Sequence, residues 1–471
     1  MSCQKIPNVD AIGGDRSRMA TLPLTRIGIR GMKPLPALAA LASLLISVAP
    51  AHAREAPQSV DEALQRAQAE HLPVLIDFQA QWCYSCYFMN SHVLNGAQWQ
   101  ATEKKVVFVE ADADSPSGAA WMSKLGVQAL PSYVVLNAAG VEQGRILAEQ
   151  PREKFYPALD RILGGGDALD ALRAQAAKGS TSALADALAS FSARNQVQPG
   201  LDWYASLPAA QRKAAQTDGK AKTWIARLEM EKAAKAENAA GCIEQAQRVL
   251  AAEPGCDRYY VVETLLECSE KLPAGERKTL LDPQRPALAT LLDQQVFVAT
   301  PSCADQRTAV IASADLDKAA GDRAAETAVL ERGIAAAHTS LGGDSAHPDF
   351  KRDRNAADNL RVYLLRAGRI GDVDAMMPAL IAAYPDDYVY AYRFGRSLLE
   401  RGEAAAALPY LDQAATKAFG VNRLTVAGLR VKALIALNRR SDAEKVVDEA
   451  LTANGPWFPQ AAAKLKAALN G

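Results

Sequence analysis

Asp77-Phe78-Gln79-Ala80-Gln81-Trp82-Cys83-Tyr84-Ser85-Cys86 is the stretch that decides how this chain folds. Upstream of it, the apolar run from Leu72 to Phe78 predicts a buried strand. Downstream, Tyr87, Phe88 and Met89 lead into a segment free of Gly and Pro until Asn95-Gly96, which predicts a helix. A strand, a short turn and a helix opening at a Cys-x-x-Cys put Cys83 at a helix N-terminus. There the macrodipole and free N–H groups stabilise a thiolate. Cys86 lies one helical turn on, close enough to attack a mixed disulfide and close a small ring. The rival is structural zinc, which takes four ligands, usually as two such pairs. The sequence has no second Cys-x-x-Cys, and His52, His71, His92, His338 and His347 are scattered, so no metal is expected. His92, six residues past Cys86, reads as a surface residue at the helix end with no partner for a catalytic pair.

The surrounding pattern extends the reading outward. Ser59-Val60-Asp61-Glu62 has the form of a capping box, so residues 59–71 are expected to be a helix before the strand Val74–Phe78. Val106–Val109 is a second short strand, and Ser117 to Leu125 a helix stopped by Gly126. Ser132–Leu136, the turn Asn137-Ala138-Ala139-Gly140 and Val141–Ile146 form a hairpin, and Glu153–Leu163 a closing helix. Gly164-Gly165-Gly166 marks the boundary to the next region.

The quoted stretch resembles the active-site segment of the thioredoxin superfamily. Within it, the likeness is to the C-terminal thioredoxin-like domain of the DsbD family of thiol:disulfide interchange proteins. Gly126-Val127-Gln128-Ala129-Leu130-Pro131-Ser132-Tyr133-Val134-Val135 resembles the superfamily's cis-proline loop and the strand after it. The order of elements is the one that fold requires, and the resemblance covers roughly residues 59–163. It implies that Cys83 is the nucleophile and Cys86 the resolving thiol. It implies that Asp77 is a buried acid that shuttles a proton for Cys86, since burial raises a carboxyl pKa; the alternative is a strand-edge Asp facing water. Thioredoxins usually place a lysine opposite that acid, whereas Glu110 holds the matching place here. Pro131 is expected to be cis, or else an ordinary trans start to a strand. Leu130 would offer backbone hydrogen bonds to an extended substrate strand, and Trp82 an apolar docking surface. Tyr84 and Ser85 set the redox potential, which their pairing does not reveal.

At 471 residues the chain is long enough for two or more domains. Lys+Arg and Asp+Glu are both 53, so neither a basic surplus for nucleic acid nor a charged tail is present. Arg30, Met32 and Lys33 precede an apolar run from Leu35 to Val48 that ends at Ala51-His52-Ala53. That order reads as a signal peptide cleaved after Ala53, with translation starting at Met32; an uncleaved membrane anchor is the alternative. Nothing later in the sequence reaches the length of a membrane span. Of the seven cysteines, Cys3 would leave with the leader, and an even number outside the motif suits an oxidising compartment such as the periplasm.

After Asp167 the composition is helical. Gly368 and Gly402 lie 34 residues apart, with Asn438 in a similar place after another 36. That alignment brings Ala357, Ala391 and Ala427 into register, and likewise Leu364, Leu398 and Leu434, and Met377, Leu411 and Val447. The period resembles tetratricopeptide repeats, with a generic helical bundle as the alternative. His338 to Asn355 reads as a long loop. Helix geometry also narrows the cysteine pairing. A helix rises ~1.5 Å per residue, so Cys242 and Cys256, at the two ends of one helix, lie on the order of 20 Å apart. Cys256 and Cys268 are separated in the same way, and a disulfide needs Cα atoms within ~7 Å. Two antiparallel helices with a short loop bring Cys242 beside Cys268. A third, from about Pro286 to Phe297, returns Cys303 toward Cys256. Cys242–Cys268 and Cys256–Cys303 are therefore expected, with four buried free thiols as the alternative.

The sequence thus reads as an α/β thioredoxin-like domain followed by an all-α helical-repeat domain. Residues 1–53 are an upstream segment and signal peptide, 54–163 the thioredoxin-like domain, 164–340 a helical region and 341–471 the repeats. The expected activity is dithiol–disulfide exchange with protein disulfides or dithiols, with no organic cofactor. Electrons come from or go to a partner thiol protein, and a membrane-associated redox partner is admitted. The helical repeats would recruit a partner on a concave surface. The other reading is a repeat-based assembly protein whose thioredoxin-like domain only recognises clients.

Overall fold

Alternating side chains along the strand before the cysteines decide what each face of the sheet carries. In the computed structural model, which describes residues 56–344 and 347–470, this strand is β1 (Val74–Gln79). It is preceded by helix α1 (Val60–Glu70), whose Ser59 cap accepts from the Glu62 N–H. After it come α2 (Tyr84–His92), α3 (Gly96–Glu103), β2 (Val107–Asp112), α4 (Pro116–Leu125), β3 (Ser132–Leu136), β4 (Glu142–Leu147) and α5 (Arg152–Leu163). The sheet order is β2-β1-β3-β4, with β1 parallel to β2 and antiparallel to β3. Val74, Ile76 and Phe78 face α1 and α4, packing with Val60, Ala63, Trp121 and Met122. Leu75, Tyr133 and Val135 face the other way, against Met89 of α2 and Phe155, Leu159 and Ile162 of α5. Asp77 shares the parity of Leu75, so its strand delivers a carboxyl to the side covered by α2.

Helix α3 is not expected from the sequence. Asn95-Gly96 reads as a stop, but Gly96 takes a positive φ of 73° and starts a new helix at once. The expected leader and its cleavage after Ala53 lie outside the described residues.

From Leu169 onward the chain is helical, apart from a two-residue hairpin, Gly343–Asp344 with His347–Pro348. The expected loop from His338 to Asn355 is therefore shorter: one helix runs on to Leu341 and the next begins at Arg354. The last three helix pairs are Arg354–Arg366 with Ile370–Ala383, Val389–Glu400 with Ala404–Lys417, and Val421–Ala436 with Arg440–Asn454. The turn in each pair holds Gly368, Gly402 or Asn438, all at positive φ. Left-handed backbone is open to Gly and tolerated by Asn, which is why these residues share a register. The nine aligned Ala, Leu, Met and Val positions are all buried. Cys242 is bonded to Cys268 and Cys256 to Cys303, tying helix Ala239–Ala251 to helix Arg258–Cys268 and the short turn between them to the segment before helix Gln306–Ala319. Among the described residues no helix is long and apolar enough to cross a membrane.

Candidate active site

Cys83 caps α2. Its backbone is extended, and its Sγ accepts from the Cys86 N–H at 3.1 Å. Cys83 and Cys86 are joined as a disulfide with Cα atoms 5.2 Å apart. The Leu130–Pro131 peptide bond is cis, and Leu130 packs in the same apolar cluster as both cysteines. Asp77 is 1% exposed, and neither of its carboxylate oxygens has a hydrogen-bond partner among the described residues. Burial pushes its carboxyl well above the ordinary range, and Glu110, its register partner on β2, pushes it further. Raising a carboxyl in this way moves its proton uptake and release toward the range where thiols exchange protons.

Residues 55–138 match the thioredoxin-like family. This domain belongs to the thioredoxin superfamily. The chain is similar to the thiol:disulfide interchange protein DsbD of Ralstonia nicotianae, 32% identical over 112 residues, which are 23% of this chain and 18% of that protein. It is similar to DsbD of Salmonella typhimurium, 33% identical over 99 residues, 20% of this chain and 18% of that one. It is also similar to the thiol:disulfide interchange protein TxlA of Synechococcus elongatus, 28% identical over 144 residues, 31% of this chain and 68% of that protein. The chain thus spans under a fifth of the two DsbD relatives.

The helical region packs directly on that domain's cysteine turn. The Arg393 guanidinium donates to the Trp82 carbonyl at 2.9 Å, and Asn355 Nδ2 to the Tyr84 carbonyl at 2.9 Å. The two carbonyls flank Cys83 in sequence. The Arg307 guanidinium lies 3.5 Å from the centre of the Tyr84 ring, and Arg354 lies 4.0 Å from that of Tyr87. Such stacked cations are stronger when desolvated. Cys83 is 1% exposed and Cys86 2%. Trp82, the expected docking surface, packs against the helical core as well as against its own domain, and its Nε1–H donates to Asp114 at 2.7 Å. His92, expected to lack a partner, meets Asp353 of the helical region at 3.0 Å. A contact made across 261 residues of sequence is invisible to local spacing.

Behind this contact lies Asp358, wholly buried, with Arg307 at 2.7 Å, Arg361 at 3.0 Å and Arg393 at 2.5 Å. Against the burial that would raise it, the three guanidinium groups hold its carboxyl well below the usual range. Glu149 comes from the thioredoxin-like side, is buried, and accepts hydrogen bonds from Ser85 and Asn355, within the fields of Asp305, Arg307 and Asp353. Sequence reasoning missed all of these. Asn355, Asp358 and Arg361 do recur at intervals of three along one helix, but charges at that spacing usually mark a solvated face.

Burial, and then the Asp305 charge, push the Glu149 carboxyl well up. A raised acid leaves its stabilising contribution intact below the ordinary carboxylate range and withdraws it as pH rises through the raised value. The melting temperature of the wild-type chain should therefore fall from pH 5 to pH 8, and Glu149→Gln should narrow that fall. An equal fall in both chains would remove Glu149 from the account. Asp112, pushed to about 6 chiefly by burial, and Asp77, raised well above its ordinary range by burial and Glu110, leave part of the fall in the variant.

Among the described residues there is no group of three or more His, Cys, Asp or Glu side chains arranged to hold a metal ion.

Proposed function

We propose that the chain is an exported thiol:disulfide oxidoreductase acting on protein substrates through Cys83 and Cys86. The observation that carries this reading is the Cys83–Cys86 pair at the start of α2, with Cys83 as the cap. The relatives named as thiol:disulfide interchange proteins support it. In the reducing direction, the Cys83 thiolate attacks one sulfur of a substrate disulfide. A Cys83–substrate disulfide forms and one substrate thiolate leaves. Cys86 gives its proton to Asp77 and attacks Cys83 Sγ. The second substrate thiolate leaves, the Cys83–Cys86 disulfide forms, and the substrate has gained two electrons. A partner dithiol restores the enzyme, and running the steps backward oxidises a substrate. Trp82, Leu130 and Pro131 are the substrate-facing residues of this proposal, and the two remaining disulfides are structural. The last three helix pairs are tetratricopeptide-like and serve partner recruitment. The expected leader and the even number of cysteines outside the motif support the periplasm as the site of action.

A second reading, an assembly protein whose thioredoxin-like domain only recognises clients, is favoured by one observation: Cys83 is buried and the helical region bonds the carbonyls on both sides of it. Cys86→Ser separates the two. An oxidoreductase lacking its resolving thiol accumulates client proteins bonded to Cys83, recoverable on non-reducing gels and released by reductant. If no such adduct forms with Cys86→Ser in the exporting cell, the assembly reading takes its place.

A further inference from the structure

Exchange at Cys83 requires in-line approach of a thiolate or disulfide to its sulfur, yet that sulfur is enclosed. The enclosure comes from the same chain and is fastened at several separate places. Arg393 and Asn355 hold the carbonyls on either side of Cys83. Farther along, the Val421 N–H donates to the Asp114 carbonyl at 3.2 Å. Gly420 approaches that carbonyl so closely that a Cβ there would lie 2.1 Å from its oxygen. On the other flank, Lys154 of α5 donates to the Ser302 carbonyl at 2.7 Å. Apart from the ring contacts of Trp82, Tyr84 and Tyr87, the fastenings are polar backbone and guanidinium donors, whose hydrogen bonds water can replace when the surfaces part. An apolar seam of the same extent would not part so readily.

We propose that the helical region is a lid docked on the dithiol, and that Cys83 reacts only when Arg393 and Asn355 let go of the Trp82 and Tyr84 carbonyls. The proposal rests on the oxidoreductase reading for its purpose but not for its test. A client would have to compete with the chain's own helices for the Trp82 surface. The domain that selects partners and the domain that shields the thiol are then the same.

The test uses the full chain with the Cys83–Cys86 pair reduced, iodoacetamide as the probe, and peptide mapping to read Cys83 alone. A lid open for ~1–10% of the time slows labelling ~10–100-fold relative to an unshielded thiol. In the wild-type chain the rate should level off as iodoacetamide is raised, because opening becomes limiting. Gly420→Ala, which wedges the Asp114 contact, and Asn355→Ala, which frees the Tyr84 carbonyl, should each raise the labelling rate toward the unshielded value. Wild-type labelling at the rate of a free thiol, linear in reagent, overturns the lid, and that measurement needs no variant to fold. Alkylation involves no client. Slow, saturating labelling together with no mixed disulfide in Cys86→Ser would leave the lid standing and remove the enzyme reading.

Discussion

Asp358→Ala should lower the folding free energy of the chain by about 3–5 kcal/mol, the scale of breaking a buried ion cluster from one side. Three guanidinium groups converge on this one carboxylate, which has no solvent exposure. Without it they are left facing one another in a medium where like charges repel strongly. Arg307 and Arg393 also reach into the thioredoxin-like domain, so the loss should free the cysteine turn along with the helices. Urea denaturation followed by tryptophan fluorescence measures the change. Since the Asp358 carboxyl is depressed, the stability it adds is present above the ordinary carboxylate range. It is lost as pH falls through the depressed value. A loss below about 1 kcal/mol, the worth of an exposed ion pair, would mean that water reaches the cluster and that it does not hold the two regions together.

The second large effect is kinetic. Asp77→Asn should slow collapse of a preformed Cys83 mixed disulfide on the order of 10²-fold at neutral pH, the lower end for removing a positioned proton acceptor. The side chain keeps its shape, so the fold should survive. The pH profile provides a second readout. Burial, then Glu110, raise the Asp77 carboxyl, so the wild-type chain loses stability as pH climbs through that raised value. The amide does not ionise and should flatten that slope. Unchanged collapse of the mixed disulfide would make Asp77 a bystander to the chemistry.

The thioredoxin-like half is legible in the sequence because its signals are local. The strand from Val74, the cap at Cys83, the stop at Gly126 and the hairpin turn before Glu142 each follow from a few neighbouring residues. Asp77 is legible through the resemblance, which matches it to a buried acid on the strand that feeds the motif, and it is indeed buried. The cysteine pairs are readable for a different reason: helix length and rise limit which ends can meet. The helical cover on Cys83 has no such signal. Asn355, Arg393 and Arg307 sit at ordinary helical positions, and their partners lie hundreds of residues away. The His338 to Asn355 segment misleads in the opposite way. Its Gly and Pro mark a break, but they do not say that helix persists to Leu341.

The near-complete burial of Cys83 and Cys86 bears on time as well as on access. A thiol pair exposed in an oxidising compartment would drift to whatever state its surroundings dictate. A covered pair exchanges electrons at its intrinsic rate multiplied by the fraction of time it is uncovered. Its state can then trail the surroundings and record the last partner that opened it. The chain would work as a slow memory of one encounter, insulated from the small thiols and disulfides that diffuse past between encounters.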